Sequence, residues 1–136
     1  AKQVIANAQH LAAALEKQGF DVQAKEFGYT KSHQVAVDVS RYGGGSAVSS
    51  LLKENNIILN MNMLPFEPIS HHDNPAGVRI GTQEMTRMGM KQAEMDQIAL
   101  LIGDCLVRGK RVLDEVKKMR ANFQTVHYSF DAPAKK

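Results

Sequence analysis

The chain has 136 residues, a mild net charge of +3 and a 43% hydrophobic share, which fits one domain with a real core. Aromatics are lean at 6% with no tryptophan, and no interleaving of aromatic and basic residues builds a base-stacking platform, so nucleic acid is not an expected partner. A single cysteine, Cys105, excludes an internal disulfide and fits a reducing, cytoplasmic setting, and no apolar run of about eighteen residues offers a membrane span.

Val4, Ile5, Ala8, Leu11, Ala12 and Leu15 share one helical face, with Gly19 as terminator. Ala1 already lies inside this helical pattern, so the sequence reads as a piece cut from a longer chain. Residues 20–24 alternate weakly as a strand, and Gln34 to Val39 alternates better, with Val35, Val37 and Val39 on one face. A Gly43-Gly44-Gly45 turn leads into a short helix from Ala47 to Glu54, capped by Ser46 or Gly45. Ile57-Ile58-Leu59 is the next expected strand, followed by a long loop from Asn60 to Ala76 that carries three prolines. The strand Gly77-Val78-Arg79-Ile80-Gly81 comes next, then a Thr-Arg-x-Gly turn, a helix from Lys91 to about Arg108, and a helical segment from Lys110 to Met119. These elements predict an α+β domain over residues 1–122, with helices on one face of a small, mostly antiparallel sheet, and a partly ordered tail over 123–136.

Arg79 stands out. Val78 and Ile80 ask for burial, so a guanidinium between them projects from the opposite face of the strand. Held on a rigid element between two glycines, it suits fork-to-fork capture of a carboxylate or phosphate. The alternatives are a solvated arginine or one paired with an Asp or Glu of the same domain. Other features carry less. Adjacent His71 and His72 point apart on an extended chain and lack a third ligand, so they are not a metal site. The Gly43–Gly45 turn lacks the Lys-Ser/Thr ending of a phosphate loop. Cys105 reads as a buried structural thiol, and Arg87 as a brace for its turn.

The order of pieces is more specific than any one of them. Asn60-Met61-Asn62, then Leu64-Pro65-Phe66-Glu67-Pro68, then Gly77-x-Arg79-x-Gly81-Thr82, then Thr86-Arg87-x-Gly89, then Lys91-x-x-Glu94-Met95 follow at spacings that resemble serine hydroxymethyltransferase. The resemblance runs from about Val4 to about Arg108 and lies in the C-terminal part of that family. It implies the small domain of a pyridoxal-phosphate enzyme of the aspartate-aminotransferase-like class, whose parent is a cytoplasmic homodimer. That enzyme converts serine and a reduced pterin to glycine and the methylene-pterin. It also implies that Arg79 holds the substrate carboxylate and that Asn62 touches the pterin; on residue chemistry alone, Asn60 or Asn62 could equally satisfy loop backbone. Met61 stands where many bacterial members carry lysine, which leaves tetrahydrofolate and tetrahydromethanopterin both open as the carrier.

The family's Schiff-base lysine belongs to the large, N-terminal domain. Tyr29-Thr30-Lys31-Ser32-His33 resembles its surroundings only superficially, in the wrong order and position. The implied partner is therefore the large cofactor-binding domain of the same polypeptide, and the 136-residue chain alone is expected to be inactive. A free-standing α+β module that binds a small anionic metabolite through Arg79 is the alternative.

Overall fold

A computed structural model describes residues 2–126, so the tail expected over 123–136 lies outside the described residues from 127 onward. Helix α1 (Lys2–Lys17) leads to strands β1 (Asp21–Val22) and β2 (Gln34–Asp38), helix α2 (Gly45–Glu54), and strands β3 (Asn60–Asn62) and β4 (Gly77–Gly81). Helices α3 (Gln83–Arg87), α4 (Gln92–Leu106) and α5 (Leu113–Ala121) follow. The four strands form one sheet in the order β1-β2-β4-β3, and every pairing is antiparallel.

The centre of the sheet is the β2–β4 pair, in which Val35 faces Ile80 and Val37 faces Val78. All four are buried, and with Val22 they make the inner face. Leu11 and Leu15 of α1, Val48 and Leu52 of α2, and Met95, Ala99 and Ile102 of α4 join them in one core. The helical spacing read in α1 and α4 thus points at this sheet, and the expected α+β architecture is the one the chain adopts.

Five elements differ from expectation. Helix α2 begins at Gly45 rather than Ala47, with Gly44 at the cap position, so Gly45 and Ser46 lie inside the helix. The weak strand over 20–24 shrinks to the two residues of β1. The strand expected at Ile57–Leu59 lies three residues later, in Asn60–Asn62, because only those residues find ladder partners on β4. Ile57 and Leu59 pack against the core while Ile58 is 71% exposed, so their alternation reports burial without sheet pairing. The turn after β4 is a five-residue helix, α3, too short to leave a readable period. The segment expected from Lys110 begins at Leu113, its first helical bond running from the Val116 N–H to the Val112 carbonyl at 2.9 Å; ahead of it the Lys110 N–H turns back to the Asp104 carbonyl at 2.9 Å and the Val112 N–H to the Asn55 side chain at 2.8 Å.

The long connection from β3 to β4 is pinned at both ends. The Glu67 side chain, only 3% exposed, accepts the Leu64 N–H at 2.7 Å and the Ala76 N–H at 2.8 Å, and it meets His71 Nδ1 at 3.2 Å. The Leu64 N–H foremost, then the Ala76 N–H and His71, hold this carboxyl below the ordinary range against the opposing effect of burial. Leu64 itself folds over Gly77, where an added Cβ would stand 2.7 Å from its methyl carbon. Nearer β4, Asn74 reaches across to the 43–46 turn, accepting the Ser46 N–H at 2.9 Å and donating to the Gly43 carbonyl at 3.0 Å.

Two outcomes follow. Leu52→Ala empties a fully buried site in α2 and should cost about 2–5 kcal/mol, whereas Ile69→Ala, at 85% exposure, should stay within about 0.5 kcal/mol; chemical denaturation distinguishes them. Glu67→Gln presents an amide where two backbone donors need a carboxylate, so it should lower the melting temperature at neutral pH. Because the folded-state pKa of Glu67 is depressed, its contribution is full above the ordinary carboxylate pKa and fades as pH falls through the lower folded value. The gap between wild type and variant should therefore close under acid, which melting curves at stepped pH would show.

Candidate functional site on the open sheet face

With Val78 and Ile80 turned to the helices, Arg79 stands on the other side of the sheet, and it is half-buried there. Its neighbour on β2 is Ala36 and its neighbour on β3 is Asn60. Ala36 has no bulk to overhang the guanidinium. No ion pair or side-chain hydrogen bond engages Arg79 among the described residues. Two aspartates share this face, Asp21 opposite Asp38 on β1 and β2. Asp38 is committed to its own turn, accepting the Ser40 N–H at 2.9 Å and the Ser40 hydroxyl at 2.6 Å.

Asn62 pairs with Gly77, two residues before Arg79 on β4, so it shares the open face one step along the strands. The structure thus brings both predicted site residues to one surface. It adds Asn60, which the sequence places in a loop and which lies directly across from Arg79. The signal for it was available in the Asn-x-Asn spacing, since a period of two puts both side chains on one face once the segment is a strand.

The features set aside in the sequence stay outside this surface. His71 meets Glu67, and His72 meets Asp73 at 3.1 Å, with no group of three or more metal-binding side chains among the described residues. Arg87 reaches Glu84 at 3.6 Å within α3. Cys105 is buried against Asn55, and burial raises its thiol pKa, with Glu54 adding to the shift. Tyr29 donates its hydroxyl to Glu16, which Lys25 also contacts, so the 29–33 segment is braced onto α1. The Gly43–Gly45 turn does not form an anion cradle, because the Asn74 amide fills it: a Cβ on Gly44 would stand 2.6 Å from the Asn74 oxygen. No helix of the described residues is long and apolar enough to cross a membrane.

The serine hydroxymethyltransferase of Aeropyrum pernix is 48% identical over 134 residues, covering 96% of this chain and 30% of its own length. That of Methanosphaera stadtmanae is 46% identical over 131 residues, with 96% of this chain and 31% of the relative covered. The chain thus spans about 30% of the length of these curated relatives. Among solved structures, the L-threonine transaldolase of Pseudomonas fluorescens, in its internal aldimine state, superposes with a TM-score of 0.83 at 28% identity, over 96% of this chain and 30% of that one. The family model for serine hydroxymethyltransferase matches residues 1–102, a stretch that includes both strands of the open-face site, and the chain belongs to that family.

Proposed function

We propose that this chain is the small domain of a pyridoxal-phosphate-dependent serine hydroxymethyltransferase, with Arg79 as the clamp for the carboxylate of the amino-acid substrate. The observation that carries the reading is the placement of Arg79 on a rigid central strand, outward-facing and without a carboxylate partner among the described residues. A planar guanidinium offers two parallel N–H donors to a carboxylate, which fixes both its position and its rotation. Asn62, on the same face, supplies a donor and an acceptor to the edge of a reduced pterin, tetrahydrofolate or tetrahydromethanopterin.

The glycine turn that opens α2 offers no phosphate cradle, since Asn74 fills it. In this reading the cofactor belongs to the large domain of the same polypeptide, in a homodimeric parent enzyme, and the 136-residue chain alone is inactive. The length of the curated relatives supports a larger whole protein. Within it, the task of this chain is to hold the amino acid still while the reaction proceeds on the other domain. Orientation of that kind makes a large contribution to rate.

In the full-length protein, Arg79→Ala should lower kcat/KM for serine by about 10²–10⁴-fold, from two charged hydrogen bonds at roughly 1.5–3 kcal/mol each. The cofactor absorbance should be unchanged, and Arg79→Lys should recover little for want of the fork. Wild-type turnover in Arg79→Ala would end the clamp assignment. For the 136-residue chain, incubation with pyridoxal phosphate followed by borohydride should leave no stoichiometric adduct. One specifically modified lysine would show instead that this part holds the cofactor itself.

A further inference from the structure

Asn7, Thr82 and Thr86 are fully or almost fully buried, at 0%, 0% and 2% exposure, and they lie along one unbroken line of hydrogen bonds. The Asn7 amide nitrogen on α1 donates to the Thr86 hydroxyl at 2.8 Å and to the Met90 carbonyl at 2.9 Å. The Thr86 hydroxyl donates to the Thr82 carbonyl at 2.7 Å. The Thr82 hydroxyl lies 3.0 Å from the Val4 carbonyl and 3.1 Å from the His33 carbonyl, and its N–H donates to the same His33 carbonyl at 2.9 Å. At the outer end, Gln3 donates to Asn7 Oδ1 at 2.8 Å. No buried side-chain polar atom among the described residues lacks a partner.

Thr82 is the first residue after β4 and the third after Arg79. Its backbone and side chain together fasten the end of the Arg79 strand to the entry of β2 and to the first turn of α1. Apolar packing would hold these elements in contact but is non-directional. Hydrogen bonds near 3 Å fix the distance and the angle, and buried donors are costly to leave unpaired. A bidentate clamp needs that kind of definition, because a displacement of about 1 Å at a positioned group can cost about 10²-fold in rate.

We propose that Thr82 is the positioning residue for Arg79, locking the strand that bears the guanidinium to α1, with Thr86 and Asn7 holding Thr82 in place. This rests on the clamp reading of Arg79. The lock makes the position of the guanidinium depend on α1, so the amino-acid site is referenced to that helix as well as to the sheet.

The test uses the full-length protein, with Thr82→Val, which keeps the shape and removes the hydroxyl, and Thr82→Ser, which restores it. Thr82→Val should raise the KM for serine by about tenfold or more, with the cofactor absorbance unchanged and with faster amide exchange across Val78–Gly81. Thr82→Ser should return both readouts to within about threefold of wild type. Wild-type KM and wild-type exchange in Thr82→Val would overturn the proposal, as would a KM rise that Thr82→Ser does not rescue. If Thr82→Val does not fold, Thr86→Val carries the same pair of readouts: faster Val78–Gly81 exchange with a raised KM supports the lock, and wild-type values overturn it. The clamp reading fails separately, if Arg79→Ala leaves kcat/KM for serine unchanged; the exchange data then still decide whether Thr82 holds the strand.

Discussion

The packing of Val78 and Ile80 against Val37 and Val35 is the constraint from which the open face follows. These four side chains close the centre of the sheet onto α1, α2 and α4, and their burial fixes which way β4 turns. A slip of one residue in the β2–β4 register that turned β4 over would send Val78 and Ile80 to solvent and Arg79 into an apolar core, at a cost the fold could not carry. The outward stance of the arginine is thus enforced by its neighbours in sequence rather than by any partner of its own. A cation held this way needs no ion pair to keep its place, which leaves its donors available.

The rest of the surface is assembled by short polar connections. Glu67 draws the two ends of the β3–β4 loop together, and Asn74 ties that loop to the turn before α2. Thr82 closes the other end of β4. Glu67 and Asn74 serve backbone groups that a loop or helix end would otherwise leave unpaired, and the Thr82 hydroxyl finds its partners in two backbone carbonyls, the ordinary condition for burying polar atoms without penalty. Apolar packing sets the layers of this domain, and buried hydrogen bonds set the edges.

That division explains what could be read from the sequence. The class of fold, the strand around Arg79 and the helices α1 and α4 all rest on periodicity, and periodicity is a property of the linear chain. The family, too, was legible, because five motifs in fixed order carry more information than one. β3 falls outside the expected strand because Ile57 and Leu59 alternate by burial while their backbone groups make no ladder; pairing depends on β4, whose partner residues lie 15 to 19 positions further along the chain. Helix α3 left no period to detect. The roles of Glu67, Asn74, Thr82 and Thr86 were invisible for a related reason: their partners lie at loop ends or on α1, and nothing in their local sequence names them. Asn60 was within reach and was missed only because its strand was.

The anchoring of the β3–β4 loop has a consequence for how this region can change over time. With Leu64 and Ala76 both fastened to Glu67, and Asn74 fastened to the turn before α2, the stretch between Pro68 and Asp73 is a tethered bight whose two ends cannot drift. Lengthening it would alter the outline of the domain without shifting either Asn62 or Arg79, because closing a somewhat longer loop adds little entropic cost. Insertions and deletions among relatives have room to accumulate there, while the spacing from Asn74 to Arg79 does not.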